Sequence, residues 1–252
     1  MAWKALDARL QPEEVGSSIA CMWWRQSLSW SGTLSEKYRD LSDALPVDFR
    51  TVIDVGAHLG NTVAEVLRFQ PRATIHAIEP VSLTFAELCR RFAGNQRVHC
   101  HNLALGATAG EAIITVRGTN SGNRIVQEKP DGVPVETITT ASGDEFAQSV
   151  GLERVSFVKI DTEGFDQDVL RGFSRMLAEQ RIDAFQVEVS MGPQNTKHVA
   201  LESIRDYVSP LGYWLFKLYD QAHERKRPIA RRADAVFIST DCIRRRKRRR
   251  LL

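Results

Sequence analysis

Short runs of β-branched and apolar residues alternate with longer stretches of helical spacing along most of the chain. The apolar runs at 51–55, 73–79 and 97–105 are each followed by a turn, and helical patterns occupy 61–69 and 83–92. Strands that alternate with helices of this length are typical of βαβ units, in which helices cover both faces of a parallel sheet. We therefore expect an α/β core that begins near residue 49.

The alternation is interrupted between residues 111 and 140. The segments 111–118 and 133–140 have the composition of strands and flank a polar, Gly-containing loop, which predicts an inserted antiparallel segment. Beyond the insertion, we predict helices at 165–171 and 199–208 and strands at 155–161, 182–189, 213–218 and 233–239. Together these elements predict a Rossmann-like fold with a mainly parallel, seven-stranded sheet.

Both ends of the chain differ from this core. Residues 1–48 are interpreted as an N-terminal helical cap, residues 49–240 as the globular domain, and residues 241–252 as a disordered polybasic tail. The cap region holds four of the five tryptophans, Trp3, Trp23, Trp24 and Trp30. Its aromatic side chains either fill a seam against the core or form a lid over an acceptor pocket.

The positive net charge comes from the tail. Arg244–Arg250 are seven consecutive cations, and without them the formal net charge of +3 becomes −4. A mildly acidic body offers no groove for phosphates and argues against a nucleic-acid partner. The tail itself is expected to contact an anionic membrane or another polyanion, or else to serve only as a solubilising end. The sequence leaves the oligomeric state open.

Neither a membrane span nor a disulfide framework is predicted. No 18 apolar residues are consecutive, and the first residues lack the apolar core of a signal peptide. The cysteines are scattered and form no C-x-x-C pair, which argues against a zinc site: Cys21, Cys89, Cys100 and Cys242. These features predict a cytoplasmic protein.

The turn after the first predicted strand indicates the ligand. Gly56 and Gly60 would let the backbone approach a ligand closely. A dinucleotide fingerprint would need glycine where the chain has His58 and Asn61, and the Gly-Lys-Ser/Thr ending of a P-loop is absent. The spacing D-x-G-x-x-x-G that starts at Asp54 instead resembles the S-adenosylmethionine turn of class I methyltransferases.

A second acid supports a nucleoside ligand. Glu79 ends the second predicted strand, about one βαβ unit after Asp54. A carboxylate at this position can accept hydrogen bonds from both ribose hydroxyls.

The segment VKIDTEGFDQDVLRGF at 158–173 makes the resemblance more specific, since it resembles the signature of the FkbM family of methyltransferases. The resemblance extends over roughly residues 50 to 240 and includes VIDVGAHLGNT, Glu79-Pro80 and ALG at 104–106. It implies S-adenosylmethionine-dependent O-methylation of a hydroxyl on a sugar, glycan or other small natural product. The residues it implies for cofactor binding are Asp54, Gly56, Ala57, Gly60, Asn61, Glu79, Asn102, Ala104, Leu105 and Asp161.

Transfer of a methyl group to an unactivated hydroxyl needs a base or a Lewis acid. Asp161, Glu163 and Glu188 are the candidate catalytic residues, because each lies at or just beyond the end of a predicted strand. Asp161 and Glu188 could also share a divalent ion such as Mg²⁺. As structural alternatives, Glu163 would cap the following helix and Glu188 would pair with an arginine. His58 is a weaker candidate base, since its position in the turn favours a role in backbone geometry.

Two other functions are weighed against O-methylation of a small acceptor. A non-catalytic S-adenosylmethionine-binding module would keep the fold without turnover. An RNA 2′-O-methyltransferase would use the same cofactor turn, whereas a base-amino methylase would carry an Asp/Asn-Pro-Pro-aromatic motif where this chain has Asp-Thr-Glu-Gly.

Overall fold

The structure is a computed structural model that describes residues 34–44, 49–119, 122–224 and 229–249. All of them belong to one unit, residues 33–252. Of the predicted N-terminal cap, helix α1 (Leu34–Ala44) is described, and it buries Tyr38 and Leu41 in the core. The four tryptophans of the cap lie outside the described residues.

The first half of the domain has the predicted βαβ order. Its elements are β1 (Thr51–Val55), α2 (Asn61–Phe69), β2 (Thr74–Ile78), α3 (Ser82–Arg91) and β3 (Val98–His101). Strands β1 and β2 are buried along four of their five residues, because helices cover both faces of the sheet. Side chains from β1 enter the core on both sides: Ile53 and Val55 on one face, Val52 on the other.

The inserted segment forms a sheet of its own. It contains β4 (Ala104–Gly106), β5 (Gly110–Thr115), β6 (Ile125–Val126) and β7 (Val135–Ser142), in the order β4-β7-β5-β6. Strands β5 and β7 are antiparallel, which confirms the predicted pairing. Helix α4 (Gly143–Ser149) follows at once and starts at a capping box formed by Ser142 and Glu145.

The second half returns to the main sheet. Its elements are β8 (Val155–Ile160), α5 (Asp166–Gly172), α6 (Ser174–Ala178), β9 (Ile182–Ser190), β10 (Val199–Ala200), α7 (Leu201–Val208), a 3₁₀ turn (Ser209–Leu211), β11 (Tyr213–His223), β12 (Ala230–Ser239) and α8 (Thr240–Arg249).

The main sheet has the order β11-β12-β9-β8-β1-β2-β3, and the two-residue strand β10 pairs with β9 as an eighth member. The predicted path of seven strands is therefore confirmed. Strand β12 runs antiparallel to both neighbours, whereas β9, β8, β1, β2 and β3 are mutually parallel. The chain leaves β1 towards β2 and later returns to its other side as β8. Such a reversal of strand order opens a crevice at the carboxyl ends of the strands.

The C-terminal segment corrects one prediction. Helix α8 continues to Arg249, where the sequence predicted a disordered tail. Its first turn is held by contacts with the body: Arg245 pairs with Asp241 and Asp183, and Arg154 pairs with the same two acids. These ion pairs compensate part of the repulsion among the arginines, which the composition alone did not reveal. Among the described helices, none is long and apolar enough to span a bilayer.

Candidate functional site

The turn after β1 joins three strand ends. Gly56 has a φ of 78°, and the N–H groups of Gly56 and Ala57 donate to the carbonyl of Ile78 at 3.0 and 2.9 Å. A Cβ atom at Gly56 would lie 2.1 Å from the carbonyl oxygen of Asp161, which follows β8. Only glycine fits here, so the turn that was predicted to bind the cofactor is pressed against the ends of β2 and β8.

Two other residues of the turn shape the backbone. Gly60 has a φ of 76° and precedes α2, and a Cβ there would collide with Phe92 and Leu88 of the helix packed against it. Gly60 is absent from the surface of the cleft, contrary to its predicted contact. His58 has a φ of 51°, and its Nε2 atom lies 2.7 Å from the carbonyl of Thr119.

Glu79 lies just beyond β2, as predicted for the ribose-binding acid. Its Oε2 accepts the N–H of His58 and its Oε1 accepts the N–H of Val81, both at 3.0 Å. Burial raises the pKa of Glu79, and these two hydrogen bonds oppose the shift. Each oxygen keeps a second lone pair, so the fixed carboxylate could still accept hydrogen bonds from two hydroxyls.

The side chain of Asn102 does not lie in the cleft, where the family resemblance placed it. Its Nδ2 donates to the carbonyls of Glu79 and Pro80 at 3.0 and 2.9 Å, and its side chain does not line the cleft. Asn102 therefore fixes the loop that carries Glu79. Ala104 and Leu105, which were predicted together with Asn102 to flank the adenine, do line the cleft.

These elements enclose a cleft of about 240 Å³ at the carboxyl ends of β1, β2 and β8. Predicted residues that line it are Gly56, Ala57, Asn61, Glu79, Ala104, Leu105, Asp161 and Glu163. The inserted segment contributes four further residues to the cleft lining, which the sequence analysis did not predict: Ile114, Asn123, Arg124 and Ile125. Val81 and Ile114 lie with the predicted adenine residues, which gives that part of the cleft an apolar wall.

A buried lysine joins two of the predicted acids. Lys159 of β8 lines the cleft, and its Nζ lies 3.5 Å from Oδ1 of Asp54 and 3.2 Å from Oδ2 of Asp161. Burial acts to lower the pKa of Lys159, but the carboxylates of Asp161 and Asp54 outweigh it and raise the pKa. Lys159 was not among the predicted site residues. The available signal was a lysine in a largely apolar strand, two positions before Asp161 and hence on the same face of the sheet.

The two acids differ in exposure. The Asp54 side chain is about 1% exposed and does not line the cleft, so the prediction that it contacts the methionine part of the cofactor is corrected to a place beneath the cleft. Burial raises the pKa of Asp54, and Lys159 opposes the shift. The Asp161 side chain is 43% exposed, and the Lys159 ammonium lowers its pKa. Asp161 is thus an ionised carboxylate at the cleft surface.

Glu163 lines the cleft and pairs with Lys197. It has a φ of 56° and does not cap α5. Asp166, the first residue of α5, uses its carboxylate to accept the N–H groups of Thr162 and Gly164 at 3.2 and 3.3 Å, which fixes the loop before the helix. The alternative role of Glu163 as a helix cap is therefore wrong, and its catalytic role stays a prediction for a side chain that lines the cleft.

Glu188 is the candidate that the structure contradicts. It lies within β9, away from the cleft lining, and it pairs with Arg232 and with Nε2 of His198 at 2.8 Å. Its side chain is 12% exposed. The alternative that Glu188 pairs with an arginine is correct, because β12 brings Arg232 beside it in the sheet.

The donor set does not fit the predicted Mg²⁺ ion. Glu188 was predicted to be the second carboxylate ligand, but it pairs with Arg232 and His198 and does not line the cleft. Among the described residues, no group of three or more His, Cys, Asp or Glu side chains could hold a metal ion. We therefore derive no step through a metal.

The chain is similar in sequence to a known family and to a named protein. The family described as Methyltransferase FkbM domain matches residues 54–215. A protein named Methyltransferase 1 from Beauveria bassiana (strain ARSEF 2860) is 25% identical over 145 residues, which cover 48% of this chain and 57% of that protein. The aligned part thus spans little more than half of that relative's length.

Two solved structures show similar arrangements of elements. M. capricolum TrmK, in complex with S-adenosyl-homocysteine, has a TM-score of 0.48 and 9% identity, covering 83% of this chain and 70% of that chain. M. jannaschii TYW2, in complex with AdoMet, has a TM-score of 0.42 and 13% identity, covering 85% and 80%.

The strand order, the glycine turn and the acid after β2 define a class I, Rossmann-like methyltransferase fold. With the family match over more than half of its residues, the chain belongs to the FkbM methyltransferase family.

Proposed function

We propose that this protein is an S-adenosylmethionine-dependent methyltransferase that methylates a hydroxyl group of a sugar, glycan or other small natural product. One observation carries the proposal: the carboxylates of Asp161 and Glu163 line the same cleft as the Gly56 turn and Glu79. A cofactor wall and acids that can accept a hydroxyl proton therefore share one surface.

The residues present fit the cofactor. Gly56 and Ala57 line the cleft, and the missing side chain at position 56 lets this turn pack against the Asp161 carbonyl. Glu79 supplies two fixed acceptor oxygens for a ribose diol. Leu105 and Ile114 supply an apolar wall for a purine.

When bound, S-adenosylmethionine supplies a methyl group already activated by its positive sulfur. The protein then has to align the acceptor hydroxyl with that methyl group and remove one proton. Asp161 is held ionised by Lys159 and is partly exposed, so it can accept the hydroxyl hydrogen. The proton becomes strongly acidic as the new C–O bond forms, and a carboxylate of low pKa is a sufficient acceptor at that stage.

Lys159 and Asp54 act through Asp161 as positioning residues. The Lys159 ammonium lies between the two carboxylates, so it fixes the Asp161 side chain and keeps it charged. Buried Asp54 in turn compensates the charge of Lys159. This arrangement holds the base in place before the acceptor binds.

The acceptor side of the cleft is polar. It is lined by Glu163 and by two residues of the loop before β6, Asn123 and Arg124. These side chains offer both hydrogen-bond donors and acceptors. Such a wall suits an acceptor with several hydroxyl groups. An RNA 2′-hydroxyl remains the alternative acceptor.

The test is an acceptor screen by mass spectrometry with the full-length protein, S-adenosylmethionine and panels of sugars, glycans, small hydroxyl compounds and RNA. We expect a small hydroxyl acceptor to gain one methyl group. Asp161→Asn should lower kcat by on the order of 10²- to 10³-fold, and the S-adenosylhomocysteine affinity of the same variant separates loss of the base from loss of a cofactor contact. The exposed Asp131→Asn serves as the matched control and should be unchanged.

Three results would contradict the proposal. Methylation of RNA alone would assign the alternative acceptor. Cofactor binding without turnover on any panel would indicate a non-catalytic binding module. An Asp161→Asn enzyme as active as the parent would remove Asp161 as the base.

A further inference from the structure

An apolar strip lies at the edge of the main sheet, far from the cleft. Strand β11 is the last strand of the sheet, and three consecutive large side chains on it are exposed: Trp214 by 57%, Leu215 by 42% and Phe216 by 36%. A register shift between Leu215 and Lys217 makes Phe216 a bulged residue, which explains why neighbouring side chains are exposed together. Three adjacent exposed apolar residues on an edge strand are uncommon on a free protein surface.

The strip adjoins the start of the cationic helix. The indole Nε1 of Trp214 donates to Oγ1 of Thr240, the first residue of α8, at 2.9 Å. The N–H of Thr240 donates to the carbonyl of Gly212, immediately before β11, at 2.8 Å. The run of cations that begins at Arg244 therefore starts about one turn from the apolar strip.

The acids near this helix are already neutralised. Asp183 and Asp241 each pair with Arg154 and Arg245, and the N–H of Asp241 donates to Oε1 of Gln180 at 2.8 Å. These contacts fix the first turn of α8 to the body. Of the seven cations in sequence, Arg245 is used in this way, and the run continues through Arg250.

We propose that the β11 strip and α8 form a docking surface for an anionic lipid bilayer. Apolar side chains enter the interface while adjacent cations meet the headgroups, and the two signals together give stable peripheral binding where either alone is marginal. The rest of the chain carries a formal charge of −4 without the cationic run, so an anionic surface would be attracted at this end and repelled elsewhere.

The docking surface leaves the cleft free. Trp214 pairs with Ile238, and Ile238 pairs with Ala184 near the start of β9, so the strip lies at the amino ends of the parallel strands. The cleft lies at their carboxyl ends, about 20 Å away along β8. A bilayer on the strip would leave the cleft open to acceptors, so docking can be altered without changing the basal reaction.

The experiment measures co-sedimentation of the full-length protein with vesicles of phosphatidylcholine and phosphatidylserine in equal parts, and with phosphatidylcholine alone. We expect binding to the anionic vesicles only. The triple variant Arg246→Glu, Lys247→Glu, Arg248→Glu should lower the partition coefficient by on the order of 100-fold. A control with the same change in net charge, made at the exposed residues Arg72, Lys129 and Arg175, should stay within about twofold of the parent.

The apolar strip is tested separately. Leu215→Ser with Phe216→Ser should lower binding to anionic vesicles about tenfold and leave binding to a single-stranded RNA oligonucleotide unchanged. An S-adenosylhomocysteine affinity equal to that of the parent shows that the double variant is folded. If the double variant does not fold, the single variant Leu215→Ser is measured in its place.

Several results would overturn the proposal. Equal binding to both kinds of vesicle would remove the need for lipid charge, and equal losses in the tail and control variants would remove the role of α8. RNA binding without vesicle binding would assign the cations to a nucleic acid. If the apolar substitutions leave binding to anionic vesicles unchanged, the strip takes no part in docking and the proposed two-part surface is wrong.

Discussion

At the scale of single residues, Gly56 decides whether the ends of β1, β2 and β8 can meet. Its positive φ is one reason, and the other is that a Cβ atom at this position would lie only 2.1 Å from the Asp161 carbonyl oxygen. Gly94 has a similar φ of 83° but nothing within 4 Å of its Cβ position, so it separates the two effects.

Gly56→Ala should therefore cost on the order of 3–4 kcal/mol of unfolding free energy, since left-handed strain and overpacking add. Gly94→Ala should cost about 1 kcal/mol, because only the strain applies. Urea unfolding measures both. Equal losses for the two variants would show that the contact with Asp161 does not restrict position 56.

Lys159 controls the ionisation of Asp161. It lowers the pKa of Asp161, so its removal should raise that pKa and leave the carboxyl group protonated at a higher pH. We expect Lys159→Met to move the acid limb of kcat/KM to higher pH, as the base is lost when the pH falls through the raised pKa. Lys159→Arg should restore the parental profile. An unchanged acid limb in Lys159→Met would contradict this role.

Sequence reasoning located the cleft residues better than the residues beneath them. Gly56, Glu79 and Asp161 could be found because each follows a recognisable strand. Asp54 and Glu188 also lie close to strand ends, within β1 and β9, yet their side chains pair with Lys159 and with Arg232 and His198. Those partners come from distant parts of the chain, and a local pattern cannot specify them.

At the scale of elements, strands β2 and β3 carry a stack of histidines. His76 faces His99 and His101 with ring centroids 5.1 and 5.3 Å apart, and Nδ1 of His76 lies 3.1 Å from Nε2 of His101. Phe146 of α4 packs edge-on against His76 and His101. Burial lowers the pKa of His76 from 6.5 to about 4, and the two neighbouring histidines add to the shift.

This stack should make stability depend on pH. In the folded protein His76 binds its proton only near pH 4, whereas in the unfolded chain it does so near 6.5, so protons favour unfolding. The free energy of unfolding should be constant above pH 6.5 and fall as the pH is lowered to about 4, by roughly 3 kcal/mol. Denaturant unfolding across this range measures it.

Two variants check that interpretation. His76→Leu should flatten the pH dependence between these values, and His223→Gln, on the exposed end of β11, should keep it. If His76→Leu retains the parental slope, other groups account for it.

Long, regular elements could be predicted, and of the short ones only some, such as the seven-residue helix α5. The main strands and α2, α3 and α7 have enough residues to show their periodicity. Helices α4 and α6 and strand β10 have seven, five and two residues and were missed. Helix α8 was missed for another reason: its ion pairs with Asp183 and Arg154 exist only in the folded chain.

At the scale of the whole molecule, the family match contains the cleft but only the start of the proposed docking surface. The match covers residues 54–215 and ends within the apolar strip, after Trp214 and Leu215, whereas Phe216 and α8 lie beyond it. The fold class and cofactor turn could thus be inferred from a shared pattern. The acceptor side and the lipid-facing side depend on the inserted loop and on the C-terminal hairpin and helix, for which the sequence holds no specific motif.

The cleft beside Gly56 and Glu79 is expected to bind the cofactor. This is tested by calorimetric titration of S-adenosylhomocysteine into the parent protein, Glu79→Ala and the exposed control Glu111→Ala. We expect the parent and the control to bind with equal affinity, and Glu79→Ala to bind with an affinity at least about tenfold lower. Equal affinity of Glu79→Ala and the parent, or no binding to any of the three, would contradict it.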